Sequence, residues 1–160
     1  MERNAIEFLK EWKEKKRRKP LIIEGARQVG KTWLAKEFAR QCYKSMAYVN
    51  FEDQKHLRGL FAENYNMERI LLAIETETGQ KCIPGETLIF LDEIQEANGG
   101  LTSLKYFNEN APEQHIIVAG SLLGIELHKK ESFPVGKVEF LRLHPLNFEE
   151  FLLAVGENKL

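Results

Sequence analysis

Five short apolar runs, separated by segments long enough to be helices, narrow the folds open to this chain more than any other feature. They are LIIE (21–24), MAYVNF (46–51), TLIFL (87–91), HIIVA (115–119) and VEFLRL (138–143). Most are continuously apolar and rich in Ile, Val, Leu and Phe, whereas a strand with one wet face would alternate. Runs of this kind belong to strands buried on both faces, as in a parallel sheet. Periodicity predicts helices at about 32–42, 67–78 and 101–110, long enough for right-handed crossovers. The fold class is therefore α/β, a series of βαβ units with helices on both faces of the sheet.

Ahead of the first run, Ile6, Leu9 and Trp12 recur at helical spacing among charges. They predict an amphipathic helix over the first fifteen or so residues, closed off by Pro20. Its far end, KEWKEKKRRK (Lys10 to Lys19), is densely basic. With a net charge of −1 over 160 residues, the chain as a whole has no general attraction to nucleic acid. The run reads as the solvated end of a helix, with nucleic-acid phosphates as the alternative. A hydrophobic content of 43% with 29% charged residues describes a single globular domain with material for a core.

Cys42 and Cys82 form no CxxC pair, so neither a disulfide framework nor a zinc site is indicated, and buried thiols in a reducing compartment are expected. His56, His115, His128 and His144 lack metal-ligand spacing and read as structural or surface residues. The N-terminus has no signal-peptide core, and no window approaches the ~18 apolar residues of a membrane span. The expectation is a cytoplasmic protein with no membrane partner.

The segment GARQVGKT, Gly25 to Thr32, follows the first strand and precedes the helix-like TWLAKEFARQ. It has the form Gly-x-x-x-x-Gly-Lys-Thr, in the strand-then-helix setting that this motif needs. A triphosphate brings several negative charges, and such a loop meets them with backbone N–H groups at a helix N-terminus. Gly25 and Gly30 permit the close approach, and Ala26, Arg27, Gln28, Val29 and Trp33 complete the cradle. Lys31 reaches the β- and γ-phosphates, and the Thr32 hydroxyl ligates Mg²⁺. The plainer alternative is a glycine-containing turn with Lys31 and Thr32 on the surface.

TLIFLDEIQE ends the third strand with adjacent carboxylates, Asp92 and Glu93. In a parallel sheet the C-terminal strand ends gather on one edge, which brings this pair beside the loop leaving the first strand. Asp92 then holds Mg²⁺ through its waters, and Glu93 accepts a proton from an attacking water. The fourth strand ends HIIVAGSLLG, where Ser121 is the candidate γ-phosphate contact, a helix cap being the alternative. Glu52 and Asp53 after the second strand read as turn formers.

GARQVGKT, LIFLDEIQE, VAGSLLG and FPVGKVEFLRLHPLNFEEFL together resemble the prokaryotic AAA-type ATPases whose phosphate-loop domain precedes a C-terminal domain of unknown function. The likeness runs from about Lys19 to Leu153. It implies a P-loop NTPase three-layer α/β/α sandwich with a five-stranded parallel sheet in the order 5-1-4-3-2. It also carries Lys31, Thr32, Asp92 and Glu93 into the roles given above and makes Ser121 the sensor. Relatives carry Gly-Arg before the last strand where this chain has Gly136-Lys137, so an arginine finger would come from self-association or a partner. They also usually have tryptophan where this chain reads NGGLTSLKYF.

The expected organisation is a basic amphipathic helix over 1–19, the ATPase domain over 20–155 and a tail over 156–160. Asn147 with Glu150 would cap a helix over FEEFLLAV, and Gly156 would end it. Since relatives continue into a further domain, the chain ending at Leu160 is expected to be a fragment. Its expected work is Mg²⁺-dependent ATP hydrolysis coupled to a C-terminal module or partner. A slow nucleotide-dependent switch and a nucleic-acid-associated NTPase remain open.

Overall fold

The computed structural model describes residues 2–25, 30–121 and 136–143. The described elements are α1 (Glu2–Glu14), β1 (Leu21–Gly25), α2 (Lys31–Cys42), β2 (Ser45–Asn50), α3 (Met67–Thr78), β3 (Thr87–Asp92), α4 (Gly100–Asn110), β4 (His115–Ser121) and β5 (Glu139–Arg142). Short 3-10 turns cover Lys55–Leu57 and Ile94–Glu96. The helix proposed over FEEFLLAV, its Asn147 cap, Gly156, His128 and His144 lie outside the described residues.

All five strands run parallel, in the order β2-β3-β4-β1-β5, which read from the other edge is 5-1-4-3-2. The interior strands β1 and β3 are buried along their whole length, and β4 is buried up to Ser121. The edge strands behave differently. β2 alternates, with Ala47 and Val49 buried and Tyr48 and Asn50 half-buried, and β5 is half-exposed throughout. An edge strand has one neighbour, so only one of its sides is fully covered.

Successive residues of each interior strand serve opposite layers, as pleating requires. Ile22, Ile89, Leu91, Ile116 and Val118 meet α3 and α4 through Ile70, Ile74, Leu104 and Phe107. Leu21, Ile23, Leu88, Phe90, Ile117 and Ala119 meet α1 and α2 through Leu9, Trp12, Leu34 and Phe38. The first helix thus shares this second core. Trp12 lies edge-on to Phe38, with centroids 6.3 Å apart, and donates its indole N–H to the Lys19 carbonyl at 2.7 Å. Truncating such a side chain to alanine costs about 3–5 kcal/mol.

The NGG segment, where relatives usually carry tryptophan, is tightly packed here. A Cβ on Gly100 would lie 2.6 Å from the Ile94 carbonyl oxygen, so α4 starts directly against the 3-10 turn after β3. That turn in turn lies beside the C-terminal edge of the sheet.

Candidate functional site

Parallel strands bring the C-terminal ends of β1, β3 and β4 to one edge, and the chemistry-bearing residues gather there. β4 lies between β3 and β1, and its last residue, Ser121, pairs in register with Gly25. Ala26, Arg27, Gln28 and Val29 fall outside the described residues. At Gly30 the backbone turns left-handed (φ 87°, ψ 22°), a region glycine enters at no steric cost, and α2 begins with Lys31. Lys31 is only 7% exposed, and its ammonium donates to the Gly25 carbonyl at 3.0 Å. Trp33 packs half-buried on the α1–α2 core.

Asp92 is 2% exposed and is held by three donors from three elements. The Thr32 hydroxyl donates to Oδ2 at 2.6 Å, the Tyr48 hydroxyl to the same oxygen at 2.9 Å, and the Glu93 amide to Oδ1 at 3.0 Å. A carboxylate taking hydrogen bonds at both oxygens is fixed in rotation. Burial first, and then the neighbouring Asp92 charge, push the Tyr48 hydroxyl pKa up, so it stays a protonated donor.

Glu93 sits in left-handed backbone (φ 53°, ψ 50°), alone among the described non-glycine residues. Its carboxylate accepts from the Gln95 amide at 2.5 Å. One residue before the end of β1, the buried Glu24 accepts both Nε and an Nη of Arg142, at 3.1 and 2.9 Å, across the β1–β5 register. Lys137, where relatives have arginine, lies 3.5 Å from Glu109 on α4.

Tyr48, Gln95 and the Glu24–Arg142 pair carry no motif in the sequence. Period-two reading of MAYVNF puts Tyr48 and Asn50 on one face, but only the β2–β3 register, Tyr48 beside Phe90 and Asn50 beside Asp92, brings that face to the carboxylates.

Residues 17–152 match the family described as AAA domain. The chain belongs to the AAA domain family. It is an ATPase-type nucleotide-binding domain with the P-loop α/β fold of that family. Among solved structures, the chain is similar to the Aeropyrum pernix Orc1 protein, determined in complex with DNA. The two share 18% identity and superpose with a TM-score of 0.51 over 98% of this chain and 48% of that one. At this identity the likeness shows the fold, and this AAA domain spans about half the length of that relative. No curated protein matches the chain.

The basic run of this AAA domain is partly committed internally. Lys13 donates to the Cys42 carbonyl and lies over the Tyr43 ring, Lys15 pairs with Glu139, and Arg18 donates to the carbonyls of Lys13 and Glu113. Among the described residues, no helix is long and apolar enough to cross a membrane.

Proposed function

We propose that this AAA domain binds ATP with Mg²⁺ and hydrolyses it, driving movement of a C-terminal module or a partner. The observation that carries this reading is the 2.6 Å bond from Thr32 to Asp92, which joins two motifs sixty residues apart in sequence. The donor set suits Mg²⁺, a hard cation that takes oxygen ligands and keeps several waters. Thr32 gives its proton to Asp92 and retains its oxygen lone pairs for a cation. Thr32 would hold the ion directly and Asp92 through its waters. An ion held there would supply charge neutralisation for the triphosphate.

The remaining roles fall to the chain itself. The Lys31 ammonium exchanges the Gly25 carbonyl for phosphate oxygens, alongside N–H groups of Gly25, Ala26, Arg27, Gln28, Val29 and Gly30 and of the first turn of α2, with Trp33 behind them. Glu93 accepts a proton from the water that attacks the γ-phosphorus, the bond to the β-γ bridging oxygen breaks, and ADP and phosphate depart. Ser121, at the end of the strand between β3 and β1, senses the γ-phosphate.

A switch with little intrinsic hydrolysis is the second reading. Lys137 is occupied by Glu109, and Gln95 holds the Glu93 carboxylate, so a neighbouring copy or partner would supply an arginine and complete the site. Nucleic-acid binding draws on Lys10, Lys16 and Arg17, which stay exposed, and on the DNA bound by the Orc1 relative. Salt-sensitive binding to a DNA duplex, abolished by charge reversal at Lys16 and Arg17, is its test.

Phosphate release from Mg·ATP, measured over a range of protein concentrations for wild type and Glu93→Gln, tests the main reading. Turnover in wild type alone supports hydrolysis, and a rate per subunit that rises with concentration means that neighbours complete the site. Equal turnover in both proteins rejects Glu93 as the base. Nucleotide binding without turnover in either moves the switch ahead.

A further inference from the structure

Tyr48 belongs to no motif, yet its hydroxyl is one of the three donors that fix Asp92. Its ring is itself fixed. It lies against Phe90 with centroids 5.3 Å apart, and the Lys36 ammonium of α2 stands 4.4 Å above it. A cation over the ring face is attracted by its quadrupole and helps to hold the ring in place. The Asn50 amide donates to the Tyr48 oxygen at 3.3 Å, so the phenolic proton is directed toward Asp92. An ionised carboxylate only accepts, which makes the chain of donation from Asn50 through Tyr48 to Asp92 one-way.

We propose that Tyr48 is a positioning residue for the metal half of the site, holding the Asp92 carboxylate in the orientation that receives a Mg²⁺-nucleotide. The proposal rests on the Mg·ATP reading given above. Thr32 and Tyr48 reach the same oxygen of Asp92 from α2 and from β2, and the Glu93 amide closes the other oxygen. With Tyr48 removed, the carboxylate retains the Thr32 hydroxyl and the Glu93 amide but loses its donor from β2. Its Oδ2 would then be held by a single donor, one that would also serve the ion. Outer-shell partners of this kind typically contribute roughly 10–100-fold to metal affinity.

The test uses calorimetric titration of AMP-PNP, with EDTA and with saturating Mg²⁺, into wild type, Tyr48→Phe and Asp92→Asn. The ratio of the two affinities measures the coupling between metal and nucleotide without requiring turnover. The expected result is equal affinity in EDTA for wild type and Tyr48→Phe, and a Mg²⁺-dependent tightening about tenfold smaller in Tyr48→Phe and smaller still in Asp92→Asn. Tightening lost in Asp92→Asn but intact in Tyr48→Phe overturns the Tyr48 assignment alone. A Tyr48→Phe protein already weaker in EDTA also overturns it, because the ring would then be acting through packing. If wild type binds no AMP-PNP, or Mg²⁺ does not tighten it, or Asp92→Asn keeps the full tightening, the Mg·ATP reading falls and the proposal with it.

Discussion

Two turns at one edge of the sheet pass through left-handed backbone, and they do so with opposite kinds of residue. Gly30 opens α2 at φ 87°, and Glu93 opens the 3-10 turn after β3 at φ 53°. At Gly30 the conformation is free of Cβ conflict, which suits close approach by phosphate oxygens. At Glu93 the same region costs a side-chain-bearing residue about 1–2 kcal/mol. That cost is offset by the Glu93 amide on Asp92, the Gln95 amide on the Glu93 carboxylate and the Glu96 amide on the Glu93 carbonyl. Strain of this kind persists where surrounding structure over-determines it, and it clusters at functional sites. One turn is opened by a residue with no side chain, whereas the other carries a carboxylate at a left-handed position.

The largest expected effect separates the carboxylate from the turn that carries it. Glu93→Gln preserves the Cβ and the length of the side chain, and removes only the carboxylate proposed as the base. Turnover should fall by roughly 10²–10⁴-fold, as for loss of a general base. AMP-PNP affinity should remain within about twofold, a limit set by the unchanged phosphate loop. Single-turnover hydrolysis beside an AMP-PNP titration checks this. Unchanged turnover would mean that the strained turn serves packing, and the contrast between the two turns would lose its chemical meaning.

Acid conditions would blur that assay, because the opposite edge of the sheet holds a second sensitive group. His115 opens β4, 7% exposed, with Nδ1 2.6 Å from the Tyr43 hydroxyl and its ring edge-on to Trp12. Burial first, then the charges of Arg18 and Lys13, lower its pKa from 6.5 to about 4. Between those values the unfolded chain binds more protons than the folded one, so stability rises with pH. The contribution is complete above pH 6.5 and is lost as pH falls toward 4. Urea unfolding at pH 7 and pH 4.5 should show a loss from this residue of about 2 kcal/mol, largely absent in His115→Gln. An equal loss in that variant would place the acid sensitivity elsewhere, whereas its absence would let low-pH turnover be read for the site directly in His115→Gln.

How far the sequence alone reveals this arrangement differs between the two turns. The strand ends were readable because interior strands declare themselves by continuous apolar runs; β1, β3 and β4 fall within two residues of their predicted limits. Gly30 was readable because the motif spells it out. The strained backbone at Glu93 was not, since Glu-Ile carries no turn signal and the conformation is imposed by Asp92 and the packing of the 3-10 turn. Tyr48 was hidden for a related reason. Its role depends on which residue of β3 it faces, and local pattern does not encode pairing between strands forty residues apart. The strand order, too, entered through family resemblance, because five parallel strands joined by crossovers admit several orders. The first helix, set apart as residues 1–19 by its charges, shows by Leu9 and Trp12 that periodicity can be read correctly while the destination of the apolar face goes unread.

The smallest effect tests the backbone comparison itself. In an ordinary right-handed position, glycine is less stable than alanine by roughly 0.5–1 kcal/mol, because it has more freedom to lose on folding. If both turns are left-handed, the preference reverses at each. Gly30→Ala should destabilise by about 1 kcal/mol or slightly more, since the new Cβ meets an unsuitable backbone. At the other turn the proper comparison is Glu93→Gly against Glu93→Ala, because both lack the bond to Gln95 and differ only in the Cβ. There the glycine variant should be the more stable by a similar margin, with both variants inactive. Urea midpoints with unchanged slopes would measure the two differences on one scale. A more stable alanine at position 93 would show that the turn relaxes to right-handed backbone once the carboxylate is gone. The strain would then be created by the carboxylate's own contacts with Gln95, and the two turns would share no common backbone constraint.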